Sequence, residues 1–227
     1  MPAYGVRFTI ALMLFGITAV SEAQEPNQAL LHFGHVATGF SGAPDGRGLT
    51  VTAAIEVNAA MMHANRAAGS ASDLAAMKMN VQAVVSALTP TAGALTPAAG
   101  GKGPGLGFGA KRAADAIATH IEMAAKATPA SETMRKIGPM VATAARALAA
   151  RAQAMADLGG RALEAQTAAD ATSLVQQLRT MALELDTGRD ANGNGRIDLD
   201  TIEPGMNQLE AQVYAILEGE KLPRILK

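Results

Sequence analysis

The chain has no cysteine and no tryptophan, and only five Phe and two Tyr among 227 residues. Without cysteine there can be no disulfide, no thiolate metal site and no attachment point for a covalent c-type haem. So few aromatics argue against a surface on which nucleic-acid bases stack. The formal net charge is −1 and no long run of like charge occurs. Nucleic-acid phosphates therefore have no electrostatic reason to bind. Catalytic patterns are missing too. There is no His-Glu-x-x-His pair, no Gly-x-Ser-x-Gly elbow and no Cys nucleophile, so a non-enzymatic protein is expected. No segment alternates polar and apolar residues, which leaves essentially no sheet to expect.

What is present is Ala, Leu, Met and Val in helical spacing. The N-terminus reads first as an export signal. Arg7 supplies a positive start, 8–20 is an apolar run, and Ser21-Glu22-Ala23 puts small residues at the −3 and −1 positions of a cleavage site. The run is short for a membrane span and polar residues follow at once. The expectation is a signal peptide over 1–23, a secreted or periplasmic mature chain, and no membrane span after cleavage.

Helical seams then follow one another. A first helix over about 28–38 carries Leu30, Leu31, Phe33, Val36 and, just beyond, Phe40. A second should be capped by Thr50 or Thr52 and run to about 68, where Gly69 ends it. Ser70-Ala71-Ser72-Asp73 has the form of a capping box for a third, with Leu74, Met77, Val81, Val84 and Leu88 on one face. Thr89-Pro90 stops it. Glycine and proline dominate the connection over about 89–108. Its Gly-Lys-Gly-Pro-Gly run is not a phosphate loop, because no strand precedes it and no Ser or Thr follows Lys102.

A fourth helix over about 109–127 has Ala113, Ile117, Ile121 and Ala124 as its seam. Thr128-Pro129 should open a fifth, kinked at Gly138-Pro139 and ending either at Gly159-Gly160 or near 166. Thr167 caps a sixth, with Ala171, Leu174, Leu178, Met181 and Leu185 inward. A seventh begins near Glu203 or Pro204, with Met206, Leu209, Val213 and Ile216. Short connections between such seams predict an all-α, antiparallel helical bundle over 24–166, followed by a helix–loop–helix in 167–227.

Between the last two helices lies Asp190-Ala191-Asn192-Gly193-Asn194-Gly195-Arg196-Ile197-Asp198. Oxygen-bearing side chains recur at alternate residues, as they must if a tight loop is to point them inward at a hard cation. Asp190, Asn192, Asn194 and Asp198 occupy positions 1, 3, 5 and 9 of a twelve-residue loop, with Gly195 at the sharp turn. The stretch 174–217 thus resembles an EF-hand. The resemblance implies calcium as the ion, with Arg196 at position 7 contributing its backbone carbonyl. One departure stands out. Position 12, normally a bidentate Glu, is Thr201, so Asp200 or Glu203 would have to close the shell. No second loop is found to pair with this one. The function expected is an exported, non-enzymatic calcium-binding protein whose ion steadies the C-terminal hairpin.

The alternative is a periplasmic copper or haem carrier built on His and Met. His32 and His35 share a helix face, Met61-Met62-His63 lies on the second helix, Met77 and Met79 on the third, and His120 with Met123 on the fourth. Met77 and Met155 fall on apolar seams, where Met is ordinary core filler.

Overall fold

The computed structural model describes residues 27–70, 72–90 and 104–223. Residues 1–23, expected from sequence to be a signal peptide, and residues 91–103 of the Gly/Pro-rich connection lie outside the described residues. Among the described residues the chain is wholly helical, with no strand. The helices are α1 (Gln28–Ala37), α2 (Leu49–Gly69), α3 (Leu74–Leu88), α4 (Ala110–Lys126), α5 (Glu132–Glu164), α6 (Ala168–Thr187) and α7 (Met206–Gly219). No helix of the described chain is long and apolar enough to cross a membrane.

The apolar spacing explains which faces are buried. Met77, Val81, Val84 and Leu88 of α3 are inward, as are Ile117 and Ile121 of α4 and Leu178 and Leu185 of α6. They join one contiguous core to which all seven helices contribute. α1 departs from expectation. Phe33 and Val36 are buried, but Leu30 and Leu31 are exposed, so its apolar stripe is narrower than its composition suggested.

Alanine fills much of the interior, so helix axes come close. At Gly159 of α5 an added Cβ would stand 2.6 Å from Val85 Cγ2 on α3. At Gly138 it would stand 3.0 Å from the Ala125 Cβ of α4. Helix α5 runs unbroken through Gly159-Gly160 to Glu164, with Pro139 inside its second turn. It packs against α3, α4, α6 and α7.

Three caps differ from expectation. Asp73, rather than Ser70, caps α3 by accepting from Ala76 N. Ser131, rather than Thr128, caps α5 by accepting from Met134 N. Gly48 precedes α2, and Thr52 sits inside the helix, where its hydroxyl donates back to the Gly48 carbonyl at 3.0 Å. Thr167 caps α6 as its sequence implies.

One buried acid organises the approach to α4. Glu56 of α2 is buried, and its Oε1 accepts from the backbone N–H groups of Phe108 at 2.7 Å and Gly109 at 3.0 Å. Among the described residues its Oε2 has no hydrogen-bond partner. Burial pushes its carboxyl above the ordinary value, against the opposing pull of the backbone donors.

Candidate functional site

The loop that begins at Asp190 hangs between α6 and α7. Gly188, with φ 85°, ends α6, and Arg189 N donates to the Glu203 carbonyl at 2.9 Å, closing the loop's base. Within it Asp190 is the hub. Its Oδ1 accepts from Gly193 N at 2.7 Å and Asn194 N at 3.1 Å, and its Oδ2 accepts from Gly195 N at 2.7 Å. The chain turns around this carboxylate only because Gly193 and Gly195 take positive φ, 74° and 79°, where a side chain is disfavoured.

Asn192 Oδ1 accepts from Asn194 N, and Asn194 Oδ1 from Arg196 N, both at 2.9 Å. The amide nitrogens of the two Asn side chains both donate to Asp198 Oδ2, at 2.9 and 2.7 Å. These donors hold the Asp198 carboxyl below its usual value. Thr201, at position 12, donates its hydroxyl to the Asp198 carbonyl at 2.7 Å.

The acid that closes the loop is Glu203. It is only 2 % exposed, and its carboxylate faces back into the loop. Oε1 accepts from Ala191 N at 3.0 Å and Asn192 N at 3.1 Å, and Oε2 accepts from Asp198 N at 2.8 Å. Asp200 is exposed and takes no part in this network. Hydrogen bonds within the loop thus engage Asp190, Asn192, Asn194, Asp198 and Glu203, with Arg196 on the exposed rim and Asp200 outside, but the carboxylates of Asp190, Asp198 and Glu203 do not all come within 4.8 Å of one another.

The donor set suits a hard cation, with a condition. A carboxylate has roughly four acceptor positions, and Asp190 and Glu203 each give three of them to backbone N–H groups. Each retains room for about one further contact. The Asn192 and Asn194 amides present nitrogen, not oxygen, toward Asp198. Rotation of each amide about its Cβ–Cγ bond would turn the oxygen inward.

No family model, curated protein or solved structure matches this chain.

A second cluster lies on the other side of the sequence. His32 and His35 of α1 face His120 of α4, and the two helices pack directly. His120 Nδ1 lies 3.3 Å from His32 Nδ1 and 3.4 Å from His35 Nδ1. One ring nitrogen from each of the three lies within 4.8 Å of the others. The Phe40 ring stacks edge-on against His35 and His120, at 5.4 Å from each centroid. All three imidazoles are half-buried. Burial lowers the His120 pKa, and His35 and His32 beside it lower it further.

The other candidates do not join. His63 Nδ1 pairs with Asn80 Oδ1 at 3.0 Å. Met77 and Met155 are buried core residues, whereas Met79 is exposed. Sequence placed His32 and His35 on one face but could not supply their partner, His120, which stands 88 residues beyond His32 and 85 beyond His35.

Proposed function

We propose that this is an exported, non-enzymatic helical-bundle protein whose C-terminal loop binds calcium, the ion steadying the hairpin of α6 and α7. Antiparallel neighbours follow from the short connections between α2 and α3, α4 and α5, and α5 and α6. The observation that carries the calcium reading is the buried Glu203 carboxylate. It answers the missing acid at loop position 12 with one two residues later, directed at the same loop.

The reading also fixes a scale. Extracellular-type calcium sites bind at roughly 0.1–1 mM. With calcium near 1 mM and a Kd of about 0.1 mM, binding contributes about 1.4 kcal/mol. That is enough to order a local hairpin and too little to hold up a bundle, so the ion is structural rather than a switch. Thermal melts of the mature protein in millimolar calcium and in chelator test it, together with calorimetric titration. A calcium-dependent rise in Tm that vanishes in Asp190→Ala, with helix content unchanged, is expected. Identical melts and no heat of binding would overturn the reading.

A further inference from the structure

We propose that His32, His35 and His120 form a three-imidazole site for a divalent first-row transition ion such as Zn²⁺, separate from the calcium loop and with one coordination position left open. The argument is geometric. Zinc bound by imidazole takes Zn–N distances of about 2.0–2.1 Å in tetrahedral array, which sets ligand nitrogens about 3.3–3.4 Å apart. The two contacts to His120 Nδ1 are 3.3 and 3.4 Å. The ligand atoms of the trio all lie within 4.8 Å of one another, so a small rotation of the His32 or His35 ring completes the triangle.

Hydrogen bonding alone does not account for this convergence. A neutral imidazole nitrogen either donates one proton or offers one lone pair. His120 Nδ1 faces two other Nδ1 atoms and can make one well-aligned bond with only one of them. A cation at the centre would accept all three lone pairs at once. Ligand type agrees, since imidazole suits zinc, copper and nickel, whereas no carboxylate belongs to this cluster.

The sequence supports the site's rigidity. His32 and His35 lie three residues apart on α1, hence on one face. α1 is capped by Asn27 and packed by the buried Phe33 and Val36, while α4 is fixed by the buried Ile117 and Ile121. Phe40 lines the cluster on one side and stacks on two of the rings. The rings are only half-buried, so water or an exogenous ligand can reach a fourth position. Three protein ligands and one exchangeable site is the pattern of zinc centres that do more than hold a fold together.

The test uses tag-free mature protein dialysed against chelator. Co²⁺ is titrated as a spectroscopic stand-in, and Zn²⁺ is then added in competition. One equivalent of Co²⁺ with absorption of tetrahedral intensity, displaced by one equivalent of Zn²⁺, is the expected result. His120→Ala should abolish that spectrum and weaken Zn²⁺ binding at least about tenfold, since even outer-shell changes cost about 10–100-fold. His63→Ala and Asp190→Ala should leave it unchanged, the latter separating this site from the calcium loop. Circular dichroism checks each variant's helix content, and His35→Asn serves if His120→Ala fails to fold. A wild-type protein without the tetrahedral spectrum, or a spectrum that survives His120→Ala or is lost in His63→Ala, overturns the proposal.

Discussion

Arg151 of α5 donates from Nη1 to the Pro204 carbonyl at 2.7 Å, 53 residues further along the chain. The same guanidinium donates to the Ile202 carbonyl and, at 3.4 Å, to that of Glu184. The end of α6 and the exit of the loop are thus fastened to the middle of the longest helix by one side chain. Burial lowers the Arg151 pKa, while the neighbouring Glu184 and Glu203 carboxylates oppose that shift. Arginine's planar fork suits this task, since it can reach several acceptors at once.

Replacing that fork should loosen the hairpin. Arg151→Met is expected to destabilise the protein by about 1.5–3 kcal/mol, the range for hydrogen bonds from a charged group. Arg151→Lys should recover only part, because an ammonium cannot span the same carbonyls. Denaturant unfolding gives the loss, and hydrogen exchange should show it concentrated at the amides of 199–205. Uniform exchange across all helices would mean that Arg151 serves the bundle instead.

The buried acid of α2 should leave a mark on the pH profile. Burial raises the folded-state pKa of Glu56 above its ordinary 4.5. Its contribution to stability is therefore fully present below about pH 4.5 and is lost as pH rises through the folded-state value. Glu56→Gln keeps an acceptor for Phe108 and Gly109 but carries no charge. The variant should gain stability relative to wild type between pH 4.5 and 7, measured by urea unfolding at both. A relative loss over that interval would show that the backbone donors outweigh the cost of burying the charge.

Close approach of α3 and α5 makes an unusual demand at Gly159. In an open helix, Gly→Ala stabilises by about 1 kcal/mol. Here the new methyl meets Val85, and overpacking costs typically about 1–3 kcal/mol. Gly159→Ala should therefore be net destabilising by about 1 kcal/mol. In a Val85→Ala background the same change should become stabilising. Additive effects in the double mutant would place the constraint elsewhere.

The sequence revealed the helices because their apolar residues recur at three and four, and burial enforces that spacing at Met77, Val81 and Val84 as at Ile117 and Ile121. The caps were less legible. Ser70 and Asp73 compete for one role, and the residue that wins is the one whose oxygen reaches a free N–H, here that of Ala76. Thr52 resembled a cap but turned its hydroxyl to the carbonyl one turn back, as Ser and Thr can within helices.

The loop was visible through its alternating oxygens, while the choice between Asp200 and Glu203 was not. That choice depends on the path of 199–205, which Arg151 on a distant helix fixes from outside the motif. The histidine cluster lay furthest from view. Nothing within α1 or α4 announces the other, and only the packing of two helices far apart in sequence sets three rings together.

Many core positions are alanine, and glycine stands where α5 comes against α3 and α4, so at those close contacts there is almost nothing left to trim and little space to grow. Sequence drift should thus be lopsided. Lineages descended from this chain could exchange surface residues freely, yet would keep diminutive side chains along the shared faces of α3, α4 and α5, since any bulkier arrival must prise whole helices apart instead of nudging one rotamer.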